Sequence, residues 1–333
     1  MNSRDRILAA FNLEQPDRIP FAEDIPRSVR ELLMGKKDFT DIEFAKKIGM
    51  DALDLQPHPY YAPNFCDKKI VDGHEYMLGG RIKTEKDLDL VKLPDPKDES
   101  FYDPVKRFVD EYGKEDFATF AYMSWGVEGV LNSMGIEAFS FALFDQPKLV
   151  ESLLDRYSEW NCIIMEKLNT VGLDFISTYN NMAYNTGPMF SPQTFREVFL
   201  PKMKEVADTC KLPWVFHGDG NLMPIMDDIV TLGMNCLHPI EPGAMDLKYM
   251  KDTYGDKICL WGNVDMNTLS LGTPEEVEEE VKACIEAAGA GGGYILGSSN
   301  CITDYCKPEN VWAMAEAIKK YGVYEPEKNL KIV

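Results

Sequence analysis

Residues 212–239 open with Leu212-Pro213-Trp214-Val215-Phe216-His217-Gly218-Asp219-Gly220 and close with Gly233-Met234-Asn235-Cys236-Leu237-His238-Pro239. Two short apolar runs, Trp214–His217 and Asn235–Pro239, each meet a histidine at their C-terminal end. The residues between them suffice for one helix. Short runs of apolar residues bounded by Gly, Pro or Asp suit strands buried on both faces of a parallel sheet. The same unit recurs on either side. Upstream, strands are expected at Arg18–Ala22, Ala52–Gln56, Phe117–Tyr122 and Asp174–Tyr179, and downstream at Ile258–Gly262 and Tyr294–Ser298. Helices fill the gaps. Pro147–Val171 carries helical periodicity, and Ser191-Pro192 pairs an N-cap with proline at the first helical position. Thr273-Pro274-Glu275-Glu276 forms a capping box, and Pro308 opens a last helix toward Tyr321-Gly322.

About eight strand–helix alternations predict a closed (β/α)8 TIM barrel. The alternative is a doubly wound open sheet. No Gly-rich dinucleotide fingerprint follows an early strand, and Gly289–Gly293 precedes a strand instead of joining strand to helix. Residues 66–100 break the rhythm. Ile70–Gly73, His74–Met77 and Arg81–Lys83 suggest a small β-excursion, after which Leu93-Pro94-Asp95-Pro96 acts as a rigid spacer. A single barrel domain is expected over 1–333, decorated at about 66–100.

The charge narrows the function. Lys and Arg number 35 against 55 Asp and Glu in 333 residues, a net charge of −20, so nucleic acid and anionic membrane are poor partners. No apolar run approaches the roughly 20 residues of a membrane span. The start, Met1–Arg6, enters an amphipathic helix and lacks the apolar segment of a signal peptide. The eight cysteines are therefore expected as reduced thiols, mostly core residues, in a cytoplasmic protein. A homodimer is left open.

Barrel enzymes place reacting groups at the C-terminal ends of their strands. Those ends carry Glu23 and Asp24, Gln56 and His58, Ser124 and Trp125, Tyr179, Asn180 and Asn181, His217 and Asp219, His238 and Glu241, Asn263 and Asp265, and Asn300 and Cys301. In an extended segment His217 and Asp219 point the same way. Strands five and eight border the same mouth, so His217, Asp219 and Cys301 could converge as a zinc site with its fourth position open. A satisfied core histidine, a helix-capping aspartate and a buried cysteine fit the same spacing. Asn180-Asn181 either orients a substrate or turns the chain.

Several stretches together resemble the uroporphyrinogen decarboxylase superfamily. They are Ser3–Phe11, Gln15–Pro20, Phe216–Asn221, His238–Pro242, Trp261–Asp265, Gly292–Ile295 and Pro308–Val311. That superfamily holds decarboxylases and zinc-dependent methyltransferases that work with corrinoid proteins. The decarboxylase grips its polycarboxylate with an Arg-Gln-Ala-Gly-Arg segment, whereas this chain has Phe21-Ala22-Glu23-Asp24-Ile25-Pro26-Arg27, which speaks against uroporphyrinogen. The methyltransferase branch has His-x-Cys after the fifth strand and a Cys after the eighth. His217 and Cys301 match by position, and Asp219 replaces the first Cys. The resemblance thus implies Zn2+ on His217, Cys301 and either Asp219 or Glu241. A carboxylate is harder than a thiolate and suits an oxygen leaving group. It further implies a small donor, a methoxylated aromatic, whose methyl group passes to cobalamin on a separate corrinoid protein. Tyr179, Asn180 and Asn181 would position the donor, Trp125 would wall it, and His58, His238 and Glu23 would face it. The sequence holds no Asp-x-His-x-x-Gly corrinoid motif. The rivals are a metal-free lyase for a small carboxylated substrate, using Asp54, His58 or Tyr179, and a non-catalytic binding protein.

Overall fold

The computed structural model describes residues 1–71 and 74–324. Seven parallel strands follow one another in a single sheet: β1 (Ala52–Asp54), β2 (Ala118–Ser124), β3 (Phe175–Tyr179), β4 (Trp214–His217), β5 (Cys236–His238), β6 (Cys259–Trp261) and β7 (Tyr294–Ile295). Helices cover the outer face between them. Pro147–Leu168 is the longest, and the expected capping box at Thr273 and Glu276 opens the helix Pro274–Ala288. Among the described residues no helix is long and apolar enough to cross a membrane.

Alternation along the strands sorts the side chains into two cores. Ala52, Ala118, Phe120, Tyr122, Phe175, Val215, Cys236, Cys259, Trp261 and Ile295 form the inner cluster. The residues between them, such as Leu53, Ala121, Met123, Ile176, Trp214, Phe216, Leu237 and Leu260, join the larger cluster under the helices. The N-terminal helix Ser3–Phe11 plugs the lower end. Its Ile7, Ala10 and Phe11 enter the inner cluster, and the Phe11 ring meets Phe175 edge-on at 5.0 Å. The open end is therefore the C-terminal edge of the strands.

The expected first strand, Arg18–Ala22, does not form a ladder. The sheet is curled, and residues 20–22 span its two edges by isolated contacts. Leu296 donates to the Pro20 carbonyl at 2.9 Å, Ala22 donates to Leu296 at 3.3 Å, and Asp51 donates to Phe21 at 2.7 Å. Pro20 has no N–H to give, and Phe21 gives its own to the Asp51 carboxylate at 2.9 Å. The architecture is a mixed α/β fold around a curled seven-stranded parallel sheet, one regular strand short of the expected barrel.

The excursion is an antiparallel hairpin of Cys66–Val71 with His74–Gly80, irregular between Asp67 and Lys68. Asp72 and Gly73, which end the first of its expected segments, lie outside the described residues, as do 325–333 of the expected domain. The Pro94 carbonyl accepts the Trp160 indole N–H at 2.8 Å, which ties the spacer to the long helix.

Candidate active site

Register brings the rim together. Tyr179 pairs with His217 and His217 with His238, so three ring-bearing side chains stand abreast at the upper edge of β3, β4 and β5. His217 follows inward Val215 by two residues and His238 follows inward Cys236, so both rings enter the mouth. Tyr179 stacks on His217 at 4.1 Å, and Trp261 lies 4.7 Å from His238. The two Nδ1 atoms are 2.7 Å apart. Burial pulls His217 down to about 3, and burial together with the neighbouring imidazole holds His238 well below the usual range. Both rings are thus neutral, and one proton is shared between the two Nδ1 atoms. One ring donates from Nδ1 and keeps a bare Nε2; the other accepts and carries its proton on Nε2. Among the described residues neither Nε2 has a hydrogen-bond partner, and that of His217 lies 3.5 Å from Asp219 Oδ1.

Asp219 is half-buried on the loop after β4. Burial raises its carboxyl to about 6, while Asn300 and Asn181 pull the other way. Asn300 donates to Oδ1 at 3.1 Å, and the Asp219 N–H donates to Asn181 Oδ1 at 3.2 Å. Gly220 has φ +81°, and a Cβ there would sit 2.7 Å from the Ala183 carbonyl. Its N–H donates to Glu241 Oε2 at 2.8 Å. Asp219, Glu241, Asp265 and Asn300 line a cavity of about 320 Å3. Cys301 is half-buried in the segment after β7; burial, then Asp24, Glu23 and Asp219, hold its thiol far above the ordinary range.

The expected ligands offer suitable atoms: a ring nitrogen with no hydrogen-bond partner among the described residues, a carboxylate facing it, and a thiol that burial, with the nearby acids, holds in its protonated form. Among the described residues, however, three such atoms fall within 4.8 Å of one another only at Asp24, Asp54 and His58. That cluster is already supplied with donors. Arg30 donates to Asp54 Oδ1 at 2.5 Å, and Gln56 Nε2 reaches Asp54 Oδ2 at 2.6 Å and Asp24 Oδ1 at 3.1 Å. His58 Nδ1 donates to the Leu55 carbonyl at 3.1 Å, and its Nε2 lies 3.4 Å from Asp24 Oδ2. Burial lowers the affinity of His58 for its proton, but contact with Asp24 outweighs this and the net direction is up. Two carboxylates face an imidazole and a guanidinium, so the cluster draws its hydrogen-bond partners from its own side chains.

An aromatic belt joins the two halves of the rim. His58 lies 5.1 Å from Tyr61 and 4.8 Å from Tyr122, and Tyr61 lies 5.1 Å from Tyr179. Glu23 is buried under the last strand. It accepts from the Ser298 N–H at 2.6 Å and from the Ser298 hydroxyl at 3.1 Å; burial raises its carboxyl to about 8 despite these bonds. Two expected residues stand apart from the mouth. Trp125 continues the outward series of Ala121 and Met123 and packs on Trp214 at 4.4 Å under the helices. Asn180 ties back through Nδ2 to the outward Thr178 hydroxyl at 2.7 Å, leaving Asn181 to serve the rim. The sequence reading missed Tyr61, Tyr122 and Glu128. Glu128 sits in the first turn of the helix Val127–Met134, and burial, then Asp219, raises its carboxyl to about 6.

A plugged parallel sheet with imidazole, carboxylate and phenol groups at its open edge defines an α/β enzyme fold with its chemistry at one end. Residues 66–321 match the uroporphyrinogen decarboxylase (URO-D) family, and the chain belongs to it. It is similar to a uroporphyrinogen decarboxylase from Chlorobium phaeovibrioides, 25% identical over 278 residues that cover 76% of this chain and 74% of that protein. A second, from Methylococcus capsulatus, is 23% identical over 270 residues, 76% and 74% of the two chains. Among solved structures, a methyltransferase from Methanosarcina mazei has a TM-score of 0.74 at 20% identity, covering 96% of this chain and 99% of its own. A B12-independent methionine synthase from a Shewanella species has a TM-score of 0.53 at 10% identity, over 92% and 97%. At such identities the structural likeness is one of fold.

Proposed function

We propose that this chain is a zinc-dependent methyltransferase that moves a methyl group from a small donor, a methoxylated aromatic, to the cob(I)amin of a separate corrinoid protein. The reading takes the chain as one cytoplasmic barrel domain, with residues 20–22 standing in for an eighth strand. The observation that carries it is the unpartnered Nε2 of buried His217, turned toward Asp219 at the open end. A bare lone pair facing a carboxylate favours a cation between them, and His217, Cys301 and Asp219 or Glu241 are the residues that would hold it. A zinc ion held by these residues would supply Lewis-acid polarisation of the ether oxygen.

The chain's own residues do the rest. Tyr61 and Tyr179 offer aromatic faces to the donor ring, backed by Tyr122. His238, through Nδ1, fixes which nitrogen of His217 is bare. Asn181 and Asn300 hold Asp219 in place. His58, whose contact with Asp24 favours its protonated form, can pass a proton to the departing phenolate. Uroporphyrinogen is not the substrate, because Glu23 and Asp24 stand where carboxylate-binding arginines are needed.

The test is metal analysis of protein purified without a metal-binding tag, followed by incubation of a methoxylated aromatic with cob(I)alamin. The expectation is one zinc per chain and a shift of the visible spectrum to that of the methylated corrinoid only when the protein is present. Metal-free protein that releases CO2 from a small carboxylated compound would instead establish a lyase.

A further inference from the structure

On the far side of Tyr179 from His217's partner His238, the mouth opens into a small cavity of about 130 Å3, lined by Tyr61, Ala62, Asn64, Ser124, Glu128 and Tyr179. The Tyr61 and Tyr179 rings are 5.1 Å apart at 60°, so they make two walls of a corner and not a stack. Tyr122 stands behind both, at 6.4 Å from Tyr61 and 5.8 Å from Tyr179. No lysine or arginine is among the lining residues. Glu128 supplies a carboxyl, and Asp24 and Asp219 are close enough to act on the same group of side chains.

Size and chemistry together select the occupant. An apolar cavity of about 150 Å3 takes a benzene ring, so a slightly smaller space takes a head group of roughly five non-hydrogen atoms and not a substituted ring. Aromatic faces attract cations through their quadrupole, and most effectively when the cation is alkylated and desolvates cheaply. The carboxyl repels an anionic head and offers a neutral one at most a hydrogen bond; a methylated ammonium gains from carboxyl and rings at once. We propose that this cavity is a subsite for a methylated ammonium head group, so that the mouth admits methylated amines beside the neutral methoxylated ring. The inference rests on reading this end of the sheet as the donor-binding end.

The experiment is a calorimetric titration of the full chain with tetramethylammonium, and with tert-butanol as a neutral probe of similar shape. Tetramethylammonium is expected to bind with one site per chain and at least about tenfold more tightly than tert-butanol. Tyr61→Leu and Glu128→Gln should each weaken it about tenfold, and Tyr61→Phe, which keeps the ring face, should restore it. Unchanged melting temperatures show that the variants fold; a second cage variant, Tyr179→Leu, replaces any that does not. Equal affinity for the two probes, indifference to Tyr61→Leu, or no binding of tetramethylammonium up to about 100 mM overturns the proposal. Zinc content of the same samples decides the metal reading separately: cation binding by protein that takes up no zinc supports the subsite and removes the metal.

Discussion

Replacing His238 with Phe tests the rim most directly. The substitution keeps a ring against Trp261, at 4.7 Å in the native protein, and removes the Nδ1 atom that lies 2.7 Å from His217 Nδ1. If His217 offers its bare Nε2 to a metal, its Nδ1 carries the proton and His238 accepts it. The variant leaves that buried N–H without an acceptor, a cost of about 1–3 kcal/mol. It also frees the His217 ring to turn and to change tautomer. Loss of such an outer partner typically lowers metal affinity by about 10–100-fold. Competition against a chelator of known affinity measures the second quantity, and denaturant unfolding of the metal-free protein measures the first. His238→Gln, whose carbonyl oxygen can accept from Nδ1, should recover part of both. Zinc affinity within about threefold of the native value, with stability reduced, would show that the histidine pair is structural and that His217 is not a ligand.

Asp219→Cys should keep zinc and lose cleavage of a methoxylated aromatic, measured by phenol release; full retention of cleavage removes the argument that the carboxylate tunes the metal toward oxygen leaving groups. Arg30→Met leaves buried Asp54 without the guanidinium it meets at 2.5 Å, and denaturant unfolding should show a loss of about 3–5 kcal/mol, most of it recovered in Arg30→Met/Asp54→Asn. For pH, burial raises Glu23 from an ordinary 4.5 to about 8, so its contribution is fully present below about 4.5 and is lost as pH climbs through about 8. The unfolding free energy of the native protein, from denaturant titrations, should therefore fall across that window by up to ~1.4 kcal/mol per pH unit from this group, and Glu23→Gln should flatten the slope; parallel slopes for the two proteins would refute it.

The sheet was legible because its strands are short, apolar and bounded by turn residues, and because helices with their own caps lie between them. Arg18–Ala22 reads the same way in composition, but Pro20 withholds a donor and Asp51 captures the Phe21 N–H, so contacts form without a ladder. The strand-end rule placed His217, Asp219, His238 and Tyr179 at the open end, where they stand together. It failed at Trp125, where counting from inward Tyr122 puts every odd residue of β2 under the helices. Glu128 was invisible to the same rule because it stands one turn into the following helix, past the strand end. The pairing of His217 with His238 depends on the register of β4 and β5, residues 21 apart in sequence, which no local pattern encodes.

The charge of the mouth bears on how far its relatives' substrate can be carried over. A polycarboxylate needs cations free to meet it, and among the described residues Arg30 and His58 at this rim are already engaged. Arg30 donates from Nε to the Ile25 carbonyl at 2.6 Å, from Nη1 to Asp41 at 3.1 Å and from Nη2 to Asp54. His58 is committed to Leu55 and Asp24. An entering carboxylate would have to take one of these cations from a buried aspartate, and stripping a buried charge of its partner costs about 3–5 kcal/mol. It would do so beside Glu23, Glu128 and Asp219, whose charged forms burial already disfavours, raising their carboxyls to about 8, 6 and 6. A cation or a neutral ring meets neither cost. On the proposed reading, the same acids that weigh against a polycarboxylate favour a metal ion and a small methyl donor of neutral or positive charge at the open end.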